Sequence, residues 1–346
     1  MRTILTSLKV SFVIIGTIIG AGFASGQEIY TFFNVYGLKG LIGIFISCSL
    51  IGLVIYKTLE ISMKLKSDEY GDFVKLIIPQ KFKSNRILIF TINNIINIFL
   101  LISFFIMASG FASYFFQEFQ APKIYGGIII AVLSLITFFK NINGIIKINT
   151  YLIPILILLV ILLGAKQINC GKLHFYNIQR NNMSWILSSI LYASYNSIVL
   201  VPILVSLKNM IKNKNQIKEI FTIVTIIMII LSAIIYLLIQ VFIKDLIEIE
   251  IPIVYIAGLL GNVYKCLYGF VILVAIFTSA ISAGYSFLIN CTKTKKNYIY
   301  LAIIICTISV LISKLSFSGL INILYPIFGY LGIIQIIFIL ALKKTS

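Results

Sequence analysis

Charged residues are scarce in this chain. They make up 11% of its 346 residues, whereas hydrophobic residues make up 60%, and the mean hydropathy is +1.08. A soluble domain could not cover that much apolar surface with polar groups, so the composition indicates an integral membrane protein. The apolar runs are continuous and longer than the alternating strands of about ten residues that build a membrane barrel, which favours helices.

Histidine and cysteine are also rare, which argues against metal, disulfide and most catalytic chemistry. His174 is the single histidine, and the five cysteines are scattered, without a CxxC pair. HExxH, GxSxG and the phosphate-binding GxxxxGK[ST] pattern are all missing. We therefore expect no enzyme, no attached ATPase and no bound cofactor.

Long apolar runs dominate what is present. A helix needs about 20 residues to cross the roughly 30 Å core of a bilayer. Ten runs meet this requirement approximately, and they cover residues 8–33, 38–62, 86–116, 121–139, 145–164, 184–207, 217–243, 263–290, 298–314 and 319–342. The first run continues through Gln27 and Glu28 without a convincing cleavage site, so we interpret it as a retained span.

The basic residues predict the orientation of these spans. Most of the 28 Lys and Arg residues fall on the inside when both termini are placed in the cytoplasm. Anionic lipid on the inner leaflet then accounts for the net charge of +18, and no nucleic-acid partner is needed. We expect a multi-pass protein of the bacterial cytoplasmic membrane.

The spans are predicted to form two halves of five. A shift of about 175 residues carries the first span onto the sixth, and the long third and short fourth spans onto the eighth and ninth. Residues 1–165 would form the first repeat, 166–183 an extracellular linker and 184–346 the second repeat. Because five is odd, the second repeat would be inverted, as in many secondary transporters.

The stretch "GTIIGAGFASGQEI" in the first span combines glycines with a carboxylate. Glycine is a poor helix residue, and a charge near mid-membrane is costly, so packing alone does not explain both. We predict that the backbone unwinds within residues 20–26 and that Glu28 faces the protein interior or water. The alternative is close helix packing through GxxxG contacts. The residues concerned are Gly16, Gly20, Gly22, Gly26, Gln27 and Glu28.

The equivalent position in the second half reads "ILYASYNSIVLVP". It carries Ser194, Tyr195, Asn196 and Ser197 in mid-span, followed by Pro202. An inverted repeat predicts a second break here, within residues 192–198.

These two stretches resemble the YkvI-like bacterial membrane proteins. That group is related to the amino acid–polyamine–organocation transporters, and the resemblance covers the whole ten-span layout. It implies an all-α LeuT-type fold in which broken first and sixth helices bind the substrate. Carried onto this sequence, the substrate residues are Gly20, Ala21, Gly22, Phe23, Ala24, Ser25, Gly26, Glu28, Tyr192, Ser194, Tyr195 and Asn196.

The resemblance also implies a sodium site between the first and eighth spans. Its ligands would be the carbonyls of Gly16, Ile19 and Ala275 and the hydroxyls of Thr278 and Ser279. The alternative for the hydroxyls is back-bonding to their own helix. Some proton-coupled relatives place a lysine in the fifth span, where this chain has Pro154, so sodium is favoured. A proton carried by Glu28 is the other option.

The expected function is therefore a cation-coupled importer of an amino acid or similar zwitterion, working by alternating access. Its partners would be this small solute and the lipid bilayer, and the oligomeric state stays open. The alternative is a ligand-sensing subunit of the germinant-receptor type, without concentrative transport. Two further expectations concern the outer side: residues 251–262 form a capping helix, and Glu118 is solvated.

Overall fold

A computed structural model describes residues 2–64, 70–77, 86–139, 143–167, 184–246 and 248–342, excluding the side chains of 2–5, 86–93 and 143–151. These described residues are almost entirely helical, as the apolar periodicity predicts. The helices, in chain order, are α1 Arg2–Ile18, α2 Ala21–Ser25, α3 Gln27–Ile29, α4 Leu38–Ser62, α5 Tyr70–Ile77, α6 Arg86–Phe119, α7 Lys123–Phe139, α8 Asn143–Gln167, α9 Trp185–Leu207, α10 Lys214–Val241, α11 Pro252–Leu259, α12 Asn262–Cys291, α13 Lys295–Ile312 and α14 Phe317–Ala341.

The protein is a multi-pass membrane protein. Seven of the described helices are long and apolar enough to cross a bilayer, and three shorter apolar segments lie at Thr6–Ile18, Lys123–Phe139 and Leu152–Gln167. Large apolar side chains such as Leu158 and Phe270 are exposed on the outer surface, where lipid would cover them. The all-α membrane fold is confirmed, while the number of crossings stays a prediction.

α9 lies at the centre of the bundle. It packs against α4 on one side and α14 on another, and it also contacts α1. In its most apolar 18-residue stretch, 67% is buried, a larger share than in any other of the seven long helices. The polar residues of α9 are therefore held inside protein.

The first span is interrupted twice. α1 ends at Ile18, and the N–H of Gly20 donates to the Ile18 carbonyl at 2.8 Å. Gly20 is extended, with φ −80° and ψ −176°, and Gly26 is left-handed, with φ +84°. The backbone thus leaves the helix at both ends of the predicted window, but α2 between them is a helical turn. A π-helical turn at Tyr30–Asn34 completes the span.

The predicted break in the sixth span is wrong. α9 runs without interruption from Trp185 to Leu207, through residues 192–198 and Pro202. Its polar side chains are satisfied inside the helix: Ser194 Oγ donates to the Ile190 carbonyl at 2.7 Å, and Asn196 Nδ2 to the Tyr192 carbonyl at 2.9 Å. Because back-bonding satisfies these groups, no unwinding is needed.

The helix lengths follow the order expected of two repeats. α6 and α12 are long, with 34 and 30 residues, and α7 and α13 are short, with 17 and 18. The inverted relation and the division at 1–165 and 184–346 remain predictions. Residues 168–183 of the proposed linker lie outside the described residues.

Candidate functional site

Gly16, within α1, and Gly20, at the start of the break, differ in their surroundings. A Cβ on Gly16 would overlap the Ile153 side chain, so this glycine lets α1 approach α8 closely. A Cβ on Gly20 would meet no atom within 4 Å. Gly16 therefore fits the packing alternative, whereas Gly20 borders open space at the break.

The other two glycines, Gly22 and Gly26, determine where Glu28 lies. A Cβ on Gly22 would overlap Oε1 of Glu28, so the missing side chain makes room for the carboxylate. Gly26 has a positive φ and packs against Ile253 of α11 and Ile239 of α10. The left-handed turn at Gly26 comes just before Glu28, whose carboxylate lies against the backbone of α2.

Glu28 faces the protein interior, as predicted. Glu28 is only 4% exposed, and its Oε2 accepts a hydrogen bond from the Tyr195 hydroxyl. This bond joins the broken first span to the unbroken α9. The structure thus brings together three of the predicted substrate residues, Gly22, Glu28 and Tyr195.

Three aromatic rings pack on the Tyr195 ring, and we call the four together the aromatic cluster: Phe32, Tyr192, Tyr195 and Tyr325. Phe32 stacks on Tyr195 with ring centroids 5.6 Å apart, and Tyr325 lies 4.7 Å from Tyr195. Tyr192 meets Tyr195 edge-on at 5.5 Å, and its buried hydroxyl has no hydrogen-bond partner among the described residues. Such offset and edge-on pairs are favoured by ring quadrupoles.

Sequence reasoning missed Phe32 and Tyr325. Phe32 lies four residues after Glu28, and helical spacing could have suggested it. Tyr325 belongs to α14, and only the packing of α14 on α9 brings it close.

Other predicted substrate residues serve the backbone. Ala24 offers its carbonyl to the Tyr268 hydroxyl of α12 at 2.7 Å, and Ser25 Oγ donates to the Gly22 carbonyl at 2.8 Å. Ser194 and Asn196 are buried and back-bonded within α9. Ala21 and Phe23 are buried in α2. Ala24 and Ser25 thus fix the backbone of the break, whereas Ser194 and Asn196 bond within α9.

A short helix covers the break. α11 lies within the predicted capping segment, and its Ile253 packs on Gly26. The chain before it is tied to α6: the Ile251 N–H donates to Gln117 Oε1 at 3.0 Å, and Gln117 Nε2 donates to the Ile251 carbonyl at 3.3 Å.

Glu250 adds a second set of ties just before this helix. Its carboxylate pairs with Lys123 at 2.5 Å and accepts from Ser113 Oγ at 2.7 Å and from the Phe317 N–H at 2.6 Å. Glu118, expected in solvent, is instead buried against Lys265 at 2.8 Å. These charged contacts thus join the chain around α11 to α6, α7, α12 and α14.

The residues of the predicted sodium site differ in whether their oxygen atoms already have hydrogen-bond partners. The N–H of Gly20 bonds to Ile18 rather than Gly16, which frees the Gly16 carbonyl from its usual helical donor. Thr278 is 1% exposed, and its hydroxyl donates to the Ala275 carbonyl at 3.2 Å, as the back-bonding alternative holds. Ile19 is buried and Ser279 half-buried.

Solved structures of the same architecture settle the fold. The inward-facing conformation of Mhp1 matches 96% of this chain and 75% of its own length, with TM-score 0.64 and 13% identity. A mutant manganese transporter of Eremococcus coleocola matches 99% of this chain and 80% of its own length, with TM-score 0.62 and 12% identity. The chain has the LeuT-type fold. A Na⁺-coupled sialic acid symporter shares this fold more loosely, with TM-score 0.52, 14% identity, and 94% and 78% coverage.

Two sequence relatives come from Bacillus subtilis (strain 168). The membrane protein YkvI is 28% identical over 347 residues, covering 94% of this chain and 92% of its own. The protein YyaD is 25% identical over 342 residues, covering 96% of each chain. No protein-family model matches the chain. The resemblance to YkvI thus extends over the full LeuT-type fold, and the relation to the wider transporter group is structural.

Proposed function

We propose that this protein is a cation-coupled secondary transporter of a small organic solute, working by alternating access. The observation that carries the proposal is the twice-interrupted first span, whose buried Glu28 meets Tyr195 under a capping helix. Irregular backbone at membrane depth is tolerated where it is buried in protein or lines a cavity, and transporters use such breaks to bind solutes. The LeuT-type neighbours, which are transporters, support the same function.

The solute is assigned to the space beside Gly20, Gly22 and Glu28. Gly20 borders open space, the Glu28 carboxylate packs against Gly22, and Tyr195 connects this carboxylate to the aromatic cluster. An amino acid or related small molecule fits the mixture of backbone groups, one carboxylate and aromatic faces.

Sodium is proposed as the coupling ion. Its ligands would be the carbonyls of Gly16, Ile19 and Ala275 with the hydroxyls of Thr278 and Ser279. The freed Gly16 carbonyl supports this site, and the back-bond of Thr278 does not oppose it. A hydroxyl that donates its proton to a carbonyl keeps its lone pairs for a cation. Hard cations prefer several such oxygens.

The test is the sodium dependence of uptake into proteoliposomes. Thr278→Val with Ser279→Ala should raise the sodium concentration for half-maximal uptake by about tenfold or more, because two neutral ligands are lost. The matched control is Thr307→Val on α13, whose hydroxyl back-bonds to Ile303 on the exposed surface. The control should behave as the parent.

Uptake that ignores sodium and follows pH would contradict the sodium assignment. Glu28 would then become the first candidate for a proton carrier. Solute binding without any uptake would instead favour the alternative function, a ligand-sensing receptor subunit.

A further inference from the structure

Glu28 is a buried carboxylate that pairs with no cationic side chain among the described residues. Among the described residues, Glu28, Glu60 and Lys208 are charged and buried, and the buried side chain of Glu118 pairs with Lys265. Glu60 pairs with Lys57 and Lys214, at 3.5 and 3.7 Å. For Glu28 the described part of the chain offers no ion pair, and its one hydrogen-bond donor there is the neutral Tyr195 hydroxyl.

The buried lysine is too far away to compensate. Lys208 follows Tyr195 by 13 residues along α9 and its terminal turn, which is about 20 Å at 1.5 Å per residue. An uncompensated carboxylate at membrane depth costs several kcal/mol, so such groups pair with a partner when they function. The described protein does not supply this partner, so either a bound proton or a bound cation balances the charge.

The carboxylate is arranged to accept one. Oε2 accepts from Tyr195, but an ionised carboxylate has sites for about four hydrogen bonds. Oε1 packs against the Gly22 backbone in the space that a Cβ would fill, and the neighbouring Gly20 borders open space. The open space at Gly20 therefore lies two residues from the glycine that contacts Oε1.

The walls behind the carboxylate also suit a positive charge. Phe32, Tyr192 and Tyr325 pack on the Tyr195 ring, with centroids 4.7 to 5.6 Å from it, next to the Glu28–Tyr195 bond. The faces of such rings attract ammonium groups, and desolvated contacts gain about 2 kcal/mol or more. Carboxylate and rings together select a cation over an anion.

We propose that the transported solute carries a cationic nitrogen, that Glu28 is its counter-ion, and that the aromatic cluster surrounds it. This rests on the proposed solute site and narrows its substrate class to organic ammonium compounds. Simple amines bind best, zwitterions less well, and carboxylates without an amine are rejected.

Calorimetry on the purified protein in detergent tests this without requiring transport. The probes are phenethylamine, phenylalanine and 3-phenylpropanoate, together with the smaller set isoamylamine, leucine and 4-methylpentanoate. Within a set the carbon skeleton is closely matched and only the charged groups change. We expect at least one amine to bind tenfold or more tightly than its carboxylate counterpart, a difference of about 1.4 kcal/mol.

Glu28→Gln is the decisive variant. The amide oxygen still accepts the Tyr195 hydroxyl, so the change removes the charge and keeps the shape. Amine affinity should fall about tenfold or more, whereas Glu60→Gln, which alters a buried carboxylate far from the break, should bind amines as the parent does.

Three results would overturn the proposal: carboxylates binding as tightly as amines, Glu28→Gln binding amines as the parent does, or no amine binding at millimolar concentration. None of these would refute transport, which uptake of a zwitterion or anion would still show. Amine binding without uptake would leave the assignment intact and refute the transporter function.

Discussion

At the scale of single residues, Gly22 and Glu28 depend on each other. The carboxylate of Glu28 occupies the space that a Cβ on Gly22 would need. We predict that Gly22→Ala displaces this carboxylate and lowers solute affinity about tenfold or more. Folding should lose about 1–3 kcal/mol, because the displaced carboxylate is buried and loses its hydrogen bond with Tyr195.

Gly71→Ala is the matched control for this variant. Its Cβ would meet nothing within 4 Å, and Gly71 lies in α5, outside the proposed solute site. Solute titrations on both variants, with their thermal unfolding, make the comparison. Equal affinities for the two would show that Glu28 does not bind solute from the position beside Gly22.

Gly26 is needed for its backbone conformation. It has φ +84°, and a Cβ would also press on Ile253. Gly26→Ala should therefore lower the free energy of unfolding by about 1–2 kcal/mol from backbone strain, with more from the contact. Gly319→Ala, near the start of α14, meets only ordinary contacts and should be neutral or slightly stabilising. Thermal unfolding that ranks the two equally would contradict the role of the left-handed turn.

Residue chemistry alone predicts some of these positions. A carboxylate in a membrane span is costly unless it faces the protein interior or water, and Glu28 faces the interior as predicted. The sequence does not say which glycine faces it, since that depends on how the chain turns at Gly26. Tyr325 is separated from Tyr195 by 130 residues, and no local pattern connects them.

At the scale of elements, α9 shows why a polar run is ambiguous. Serine and asparagine in mid-membrane either line a break or bond back to their own helix, and the same residues satisfy both arrangements. Here Ser194 and Asn196 bond back and the helix continues. The first span differs because Gly20 and Gly26 adopt backbone conformations that are not helical. Side-chain hydrogen bonds cannot make such a backbone helical.

The capping helix α11 depends on Glu250. This carboxylate accepts from the Phe317 N–H and Ser113 and pairs with Lys123. Glu250→Ala should cost about 1–3 kcal/mol, because these groups lose their acceptor. It should also speed amide hydrogen exchange in α11, as the helix opens more often.

The control for the capping prediction is Asp72→Ala. Asp72 pairs with Lys75 at 2.9 Å on an exposed face of α5, and exposed pairs contribute little. Its loss should leave α11 exchange and overall stability nearly unchanged. Unchanged α11 exchange in Glu250→Ala would show that Gln117 and packing hold the cap without it.

At the scale of the whole molecule, the hydropathy pattern was sufficient to predict an all-helical membrane protein. Continuous apolar runs of span length predicted an all-α membrane protein, and the LeuT-type fold confirms this. Lengths and charges do not determine how two halves pack, so the inverted repeat and the cytoplasmic termini stay predictions. Solute and ion specificity depend on a few atoms at the break, which span patterns do not describe.

The central claim is that this molecule uses an ion gradient to move a solute. The most direct measurement is uptake of a labelled solute that binds the purified protein, in proteoliposomes with an imposed inward sodium gradient. We predict accumulation above the external concentration, collapsing when a sodium ionophore dissipates the gradient. Equilibration without accumulation under both sodium and proton gradients, or binding with no entry at all, would contradict coupled transport.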